Sequence, residues 1–443
     1  EMNATLKTMH QDKHINDEQF KKLTSPRSKQ TFPIIYFLPQ LLGNNQITVQ
    51  PFISYKHSPI QQLATFLNCL LRPLVTRVCR STTIVNGADF IRRLDASIKL
   101  KGGRLWPSTL FATFKIQNFY SVLSHGNILD TLGPFLTKHL AGNQLEKLSI
   151  ITIQTLTELF LNHTMFYYNH KLYRYRKGCP MGVLFTETLG NIFLLEWQSH
   201  LLNHPYMKNE FYGRFASSST QMAFFTYNGT SDILQEILSN LNQHHPDMRF
   251  DSAVGQTIQF LNIQIENQHG HLYTSVYHDP TRQSYVLPFV SGHTRLIYSH
   301  YFRSLLIRAG QYCSNVDDFD RERLYIELTY LANGFPLQVI EHYLNLFYLH
   351  FQIPSLRTVL DQTIYDRFRD QLFRRIDKEQ NQHQLFHLHY LYEWGPRRRF
   401  NEQFRQLWTR YIHPYPMFAN GSAKIRLTTK HLHSLNTLLT RDK

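Results

Sequence analysis

The sequence predicts an α+β protein whose C-terminal part is helical. Three observations carry this. Runs with strand-like character are confined to the middle of the chain, at Leu110–Ile116, Met165–Arg176 and Thr257–Tyr277; helical spacing of apolar residues flanks them; after Ser291 the pattern is helical to the end.

Each element has a local reason. The first thirty residues are rich in Lys, Gln, Asn and Ser and read as a loose or docked extension. From Ser58 to Asp95, Leu63, Phe66, Leu67, Leu70, Leu71, Leu74 and Val75 repeat at helical spacing, and a second helical run covers Gly87 to Leu94. Leu110 to Ile116 is a strand candidate, and the almost wholly apolar run from about Leu145 to Phe160 is a core helix. Met165 to Arg176 alternates around Asn169-His170, which predicts a hairpin carrying Lys171, Arg174 and Arg176. Gly178-Cys179-Pro180-Met181-Gly182 then breaks the chain before a helix through Trp197, and another helix opens at Ser231. Thr257–Ile265 and His271–Tyr277 read as a second hairpin across Gln268-His269-Gly270. Helices follow at Phe319–Ala332 and, beyond Asn333-Gly334-Phe335-Pro336, to about Phe351.

Composition narrows the function. At about 150 residues per unit, 443 residues make two or three packed units. Hydrophobic residues at 42% and aromatics at 14% exclude a wholly disordered chain. The net charge of +15 accompanies a charged fraction of only 18%, so it arises from scarce carboxylates. Cationic surface with many flat rings suits a polyphosphate partner. Cys69, Cys79, Cys179 and Cys313 lack metal-knuckle or disulfide-framework spacing, which fits a reducing compartment. No apolar run approaches the roughly 18 residues that cross a bilayer, so the expectation is a soluble, intracellular protein with no membrane partner. Between Arg72 and Arg104, eight basic residues face only Asp89 and Asp95, a solvated face or a phosphate-contacting surface.

The stretch from Gly178 to Gly182 followed by Phe185-Thr186-Glu187-Thr188-Leu189-Gly190-Asn191-Ile192-Phe193 closely resembles motif B of reverse transcriptases. There a glycine turn lets the backbone approach a nucleotide. Leu70-Leu71-Arg72-Pro73 and Asn86-Gly87-Ala88-Asp89-Phe90 resemble the fingers motifs of Penelope-like retroelement enzymes, the branch nearest telomerase. Phe260-Leu261-Asn262-Ile263 and Tyr277-His278-Asp279-Pro280-Thr281 are similar to their later palm segments. Arg308-Ala309, Cys313-Ser314 and Asn333-Gly334-Phe335-Pro336 are similar to their thumb. The resemblance runs from about Phe66 to Tyr411. It implies a right-hand polymerase fold with fingers, palm sheet, helical thumb and helical C-terminal extension. The divisions it implies are an N-terminal extension over 1–35, basic helical fingers over 36–110, a palm with fingers insertion over 111–290, thumb-like helices over 291–355 and a helical basic region over 356–443.

The same resemblance exposes a departure. Active relatives place one Asp in motif A and two in motif C, because two magnesium ions need anionic oxygen ligands. In the motif A stretch Phe111 to Tyr120 the Asp position holds Lys115, and in Arg214-Phe215-Ala216-Ser217-Ser218 the two Asp positions hold Ser217 and Ser218. No Asp or Glu occurs from Ala96 to Leu129 or from Phe211 to Ser231, so no shift of register restores a carboxylate, and the second motif C candidate, Thr226-Tyr227-Asn228-Gly229, fails the same test. The expectation is a reverse-transcriptase-like pseudoenzyme of retroelement origin, with no cofactor, that retains binding to RNA, DNA or their hybrid. Its alternatives are a non-catalytic scaffold and an active polymerase with ligands relocated to Asp130 or Asp232. The nucleotide- and template-side candidates are Gly178, Pro180, Met181, Gly182, Asn191 and Tyr120, with Arg72, Arg92, Arg93, Arg174, Arg397 and Arg398 as phosphate contacts. Trp394, Phe404, Trp408 and Tyr411 interleave with the last of these arginines. His383, His387 and His389 have no Glu or Cys companion and read as a packed or surface cluster on a helix.

Overall fold

The computed structural model describes residues 2–24, 31–41, 47–55, 57–140, 142, 144–217, 220–246, 248–280, 286–289, 295–380, 384–391, 400–415 and 423–430. They fall into two compact units, 1–283 and 284–443.

The first unit opens with helices α1 (Met2–Gln11) and α2 (Asp17–Leu23). Asn16 caps α2 through a reciprocal capping box with Gln19, and Met2, Leu6, Met9 and Leu23 enter the main core, so the extension is docked. Next come strands β1 (Ile34–Leu41) and β2 (Ile47–Ser54), an antiparallel pair in the segment expected to form helical fingers. That expectation is corrected, since neutral runs rich in Ile, Phe and Tyr pair laterally where no amphipathic stripe exists to drive a helix. Helix α3 (Gln61–Cys79) carries the whole expected apolar series from Leu63 to Val75. Strand β3 (Thr83–Ile84) follows it, and then helix α4 (Gly87–Leu100), whose N-cap Asn86 accepts from Asp89 N at 2.9 Å.

Strand β4 (Leu110–Ile116) has the bounds read from sequence. It leads into a single turn α5 (Phe119–Val122) and helix α6 (His125–His139). A minimal pair, β5 (Gln144–Leu145) and β6 (Leu148–Ser149), takes the start of the run expected to be helical, and α7 (Ile150–Asn162) begins only where Ser149 caps it. Strands β7 (Met165–Tyr168) and β8 (Lys171–Arg174) form the expected hairpin, with Asn169 and His170 both at positive φ as a two-residue primed turn requires. Helix α8 (Leu184–Leu202), the hairpin β9 (Tyr212–Ala216) and β10 (Gln221–Tyr227), helix α9 (Ser231–Gln243) and strand β11 (Phe250–Gly255) follow. The second expected hairpin is instead a three-stranded meander of β12 (Thr257–Phe260), β13 (Ile263–Gln268) and β14 (His271–Val276). Leu261 and Asn262, both at positive φ, make an extra turn inside what reads as one strand.

The central sheet has the order β11-β4-β10-β9-β3. On one face Ala112, Phe114, Ala223 and Phe225 join the core beneath α8, where Phe114 meets Trp197 at 5.6 Å. On the other, Phe111 and Phe224 are covered by Phe90 of α4 and Phe260 of β12. A second sheet, β2-β1-β7-β8, stands apart from it.

The second unit contains α10 (Arg295–Tyr312), α11 (Val316–Ala332), α12 (Leu337–Phe351) and α13 (Gln362–Gln380) around Phe302, Phe319, Tyr330 and Tyr365. Besides α13 and α14 (Phe400–Tyr411), the C-terminal region carries a parallel strand pair, β15 (Gln384–Leu391) and β16 (Ala423–Lys430). His387 and His389 therefore lie on a strand rather than a helix, and His383 is outside the described residues. Among the described residues no helix is long and apolar enough to cross a membrane.

Candidate functional site

The site is assembled where β4 runs beside the β9–β10 hairpin. Lys115 is in register with Met222 of β10, and Met222 with Phe215 of β9. Because side chains alternate along a strand, Lys115, Phe215 and Ser217 fall on the same face, the one away from the α8 core. The outer neighbour of Lys115 is Asp251 of β11. Of the two residues in register with Lys115, only Asp251 is acidic, and both its oxygens accept from the Gln117 amide, at 2.7 and 2.8 Å. Lys115 is exposed and makes no ion pair among the described residues. No group of three or more His, Cys, Asp or Glu among the described residues is placed to hold a metal ion.

The tip of the hairpin is closed on itself. Ser217 Oγ accepts from Thr220 N at 3.0 Å, and Ser217 N donates to the Thr220 carbonyl at 2.9 Å. The buried Tyr120 hydroxyl donates to the Ser217 carbonyl at 3.0 Å, while Gln221 Nε2 donates both to that carbonyl and to Tyr120 Oη. Burial, with the nearby Glu187 carboxylate, pushes the Tyr120 hydroxyl well above its ordinary range, so it stays a donor. Ser218 lies outside the described residues.

The glycine turn docks on the same elements. Gly178 N donates to the Leu123 carbonyl and Cys179 N to the Tyr120 carbonyl, both at 2.7 Å, and His125 reaches the Gly178 carbonyl at 2.9 Å. A Cβ on Gly178 would lie 2.5 Å from the Tyr120 carbonyl oxygen, so only glycine allows this approach. Pro180 is buried and Met181 exposed; Gly182 has open space beside it and borders a cavity of about 320 Å³ lined by Tyr55, Gln61, Thr65 and Asn68. About two turns into α8, Asn191 accepts from Arg214 Nη2 at 2.9 Å. Arg214 is 3% exposed, and its guanidinium lies beside the buried Cys79 thiol.

The remaining candidates divide. Arg72 lies beside Glu187, whose carboxyl burial raises and Arg72 lowers. Arg92 and Arg93 converge on the buried Asp89 at 2.9 and 3.1 Å. Although burial opposes it, the Val85 N–H and these two guanidiniums hold Asp89 below its usual range. These pairs lie within α4 itself, and Arg93 Nη1 also donates to the Arg80 carbonyl at 2.8 Å. Arg174 is exposed on β8, on the face opposite Lys171. Arg397 and Arg398 lie outside the described residues. Sequence reasoning missed Asp251, Gln117 and Gln221 as parts of the site. The first two meet across 134 residues of chain, and only the sheet register brings them together.

Residues 285–345 match the family model of the animal helix-turn-helix domain, a span that holds α10, α11 and the first part of α12. No curated protein matches the sequence. Among solved structures the chain is similar to telomerase from Candida albicans, determined in complex with a TWJ fragment of telomeric RNA. The identity is 11% and the TM-score 0.54, over 80% of this chain and 63% of that one. It is also similar to the RNA-dependent RNA polymerase of a human picorbirnavirus, at 11% identity and TM-score 0.45 over 79% and 64% of the two chains. The chain spans less than two thirds of the telomerase chain it matches. The first likeness shows the fold, a mixed helix and sheet architecture of the right-hand polymerase kind.

Proposed function

We propose that this chain is a reverse-transcriptase-like protein of the Penelope-like branch that holds RNA, DNA or their hybrid in the palm cleft and has lost metal-dependent nucleotidyl transfer. The observation that carries the proposal is the pairing of Lys115 with Met222 and Asp251, on the face shared with Ser217. A two-metal centre clamps the attacking and leaving oxygens through carboxylates. The donor set at these positions does not fit it. Serine hydroxyls are weak magnesium ligands, and Asp251 is held by Gln117. At about 4 Å and an effective dielectric of about 20, the Lys115 ammonium repels a dication by roughly 8 kcal/mol. That same ammonium attracts phosphate, so the cleft keeps affinity while losing chemistry.

Arg214 supports this reading from below. Arg214, a cation 3% exposed that donates to Asn191 and lies beside the Cys79 thiol, adds positive potential to a hairpin that carries no carboxylate. Binding of a blunt RNA–DNA hybrid across a salt series tests the proposal. Wild type should show a steep salt dependence, and Lys115→Asp should weaken binding and lower the slope by about 0.9 for the lost phosphate contact. An unchanged slope removes Lys115 from the interface, and a slope near zero in wild type favours the scaffold reading.

A further inference from the structure

The second unit leaves two helix faces open to solvent, and the two are complementary. On α11, Leu324, Leu328 and Leu331 recur at steps of four and three residues, which sets them in one seam along the helix, and they are 44%, 64% and 40% exposed. The core-facing side of α11 is a different one, carrying Phe319, Ile326 and Tyr330. On α14, Phe400, Phe404, Trp408 and Tyr411 share one side, and the first three rings stack in a column with centroids 6.1 and 5.9 Å apart. That side is open as well, since Phe400 is 36% exposed, Leu407 beside it 56% and Tyr411 58%.

Charge decides what each seam accepts. Helix α11 carries Asp317, Asp318, Asp320, Glu322 and Glu327 against Arg321 and Arg323, a net charge of −3 in a chain whose total is +15. Both arginines are paired within the helix, Arg321 with Asp318 and Arg323 with Asp320 and Glu327. Such a surface repels phosphate, so nucleic acid does not suit it; a basic amphipathic helix does. Residues 397–411, which end in α14, hold five arginines against Glu402, a net charge of +4. Each seam runs for about two to three turns. Both stay exposed within one chain, so a single copy does not cover its own seams. One helix pair of this length is a small contact; reciprocal exchange between two copies doubles it and closes it by two-fold symmetry.

We infer that the leucine seam of α11 is the docking surface for α14 of a second copy of this chain, giving a reciprocal dimer held by the apolar seams and steered by their opposite charges. The inference does not depend on the proposed function, because neither Lys115 nor the β9–β10 hairpin takes part.

Sedimentation velocity of the full chain at micromolar concentration tests it, after nuclease treatment so that shared nucleic acid cannot hold two copies together. Wild type should sediment as a dimer. Leu324→Asp/Leu328→Asp and Leu407→Asp/Tyr411→Asp should each weaken dimerisation by about thirtyfold or more. Disulfide trapping then assigns the partners. In a Cys69→Ser background, which removes the exposed native thiol and leaves three buried ones, a chain carrying Leu328→Cys is mixed with one carrying Leu407→Cys. The mixed disulfide should exceed either self-product several-fold. A monomeric wild type, or a dimer that either double variant leaves intact, overturns the inference. So does a dominant Leu328→Cys self-product, which pairs α11 with α11, or an intrachain link in Leu328→Cys/Leu407→Cys, which puts α14 on its own α11. Should Leu324→Asp/Leu328→Asp unfold early, Leu324→Gln/Leu328→Gln keeps helix propensity and gives the same readout. Failure of the proposed function reads differently, as hybrid binding insensitive to Lys115→Asp, and leaves the sedimentation result unchanged.

Discussion

The Tyr120 hydroxyl donates to the main-chain carbonyl of Ser217 at 3.0 Å, joining the turn after β4 to the tip of the β9–β10 hairpin across 97 residues of sequence. The tip is thereby held by neutral hydrogen bonds from Tyr120, Gln221 and Thr220. These bonds fix the tip against the turn that follows β4.

Tyr120→Phe should measure that contribution. The ring stays in place, the Ser217 carbonyl keeps Gln221 as donor, and one buried hydrogen bond is lost with one of the Gln221 contacts. Urea unfolding should show a loss of about 1 kcal/mol with an unchanged m-value.

The two turn glycines should separate sharply. Gly182→Ala meets no atom within 4 Å and suffers only the left-handed backbone cost of about 1 kcal/mol. Gly178→Ala adds a clash with the Tyr120 carbonyl and Ser121 Cα to the same backbone cost, and should lose about 3 kcal/mol or more. Equal losses in chemical denaturation would show that the turn does not rest on Tyr120.

Asp89 fastens α4, and its stabilisation should depend on pH. Its folded pKa is depressed, so the contribution is present above the unfolded value of 3.8 and is lost as pH falls through the folded value. Asp89→Asn should cost about 2 to 3 kcal/mol at pH 7, because Arg92 and Arg93 lose their shared anion. The gap between variant and wild type should narrow once the pH drops below 3.8. A gap that stays constant would assign the loss to packing.

Restoring the carboxylates is the converse experiment. Lys115→Asp/Ser217→Asp/Ser218→Asp should gain manganese binding, read by water-proton relaxation, where wild type shows none above a surface background. Manganese bound equally by wild type would refute the assignment of these three positions.

The elements legible in the sequence were those whose local signals agreed. Alternation fixed β4 to the residue, Asn169-His170 announced the β7–β8 turn, and the glycine pair with Asn191 marked the turn and helix of the cleft. Strands β1 and β2 were not legible, because their apolar runs carry no charged residues to show a face and Pro39 and Pro51 argue against strands. In β15 Phe386, Leu388 and Tyr390 alternate with His387 and His389 at period two, yet the helical runs around it mask the signal. At the candidate site, Lys115, Ser217 and Ser218 were singled out by motif resemblance, whereas the Gln117–Asp251 contact and the Phe37–Tyr168 junction exist only through pairing between distant strands.

Primer extension on a hybrid with a recessed 3′ end, in magnesium and separately in manganese, tests the central claim most directly. The account predicts no templated incorporation while the same preparation holds the hybrid in a binding assay. Templated extension that survives repurification would contradict it and would require carboxylate ligands reaching the cleft from outside the β4 and β9–β10 positions.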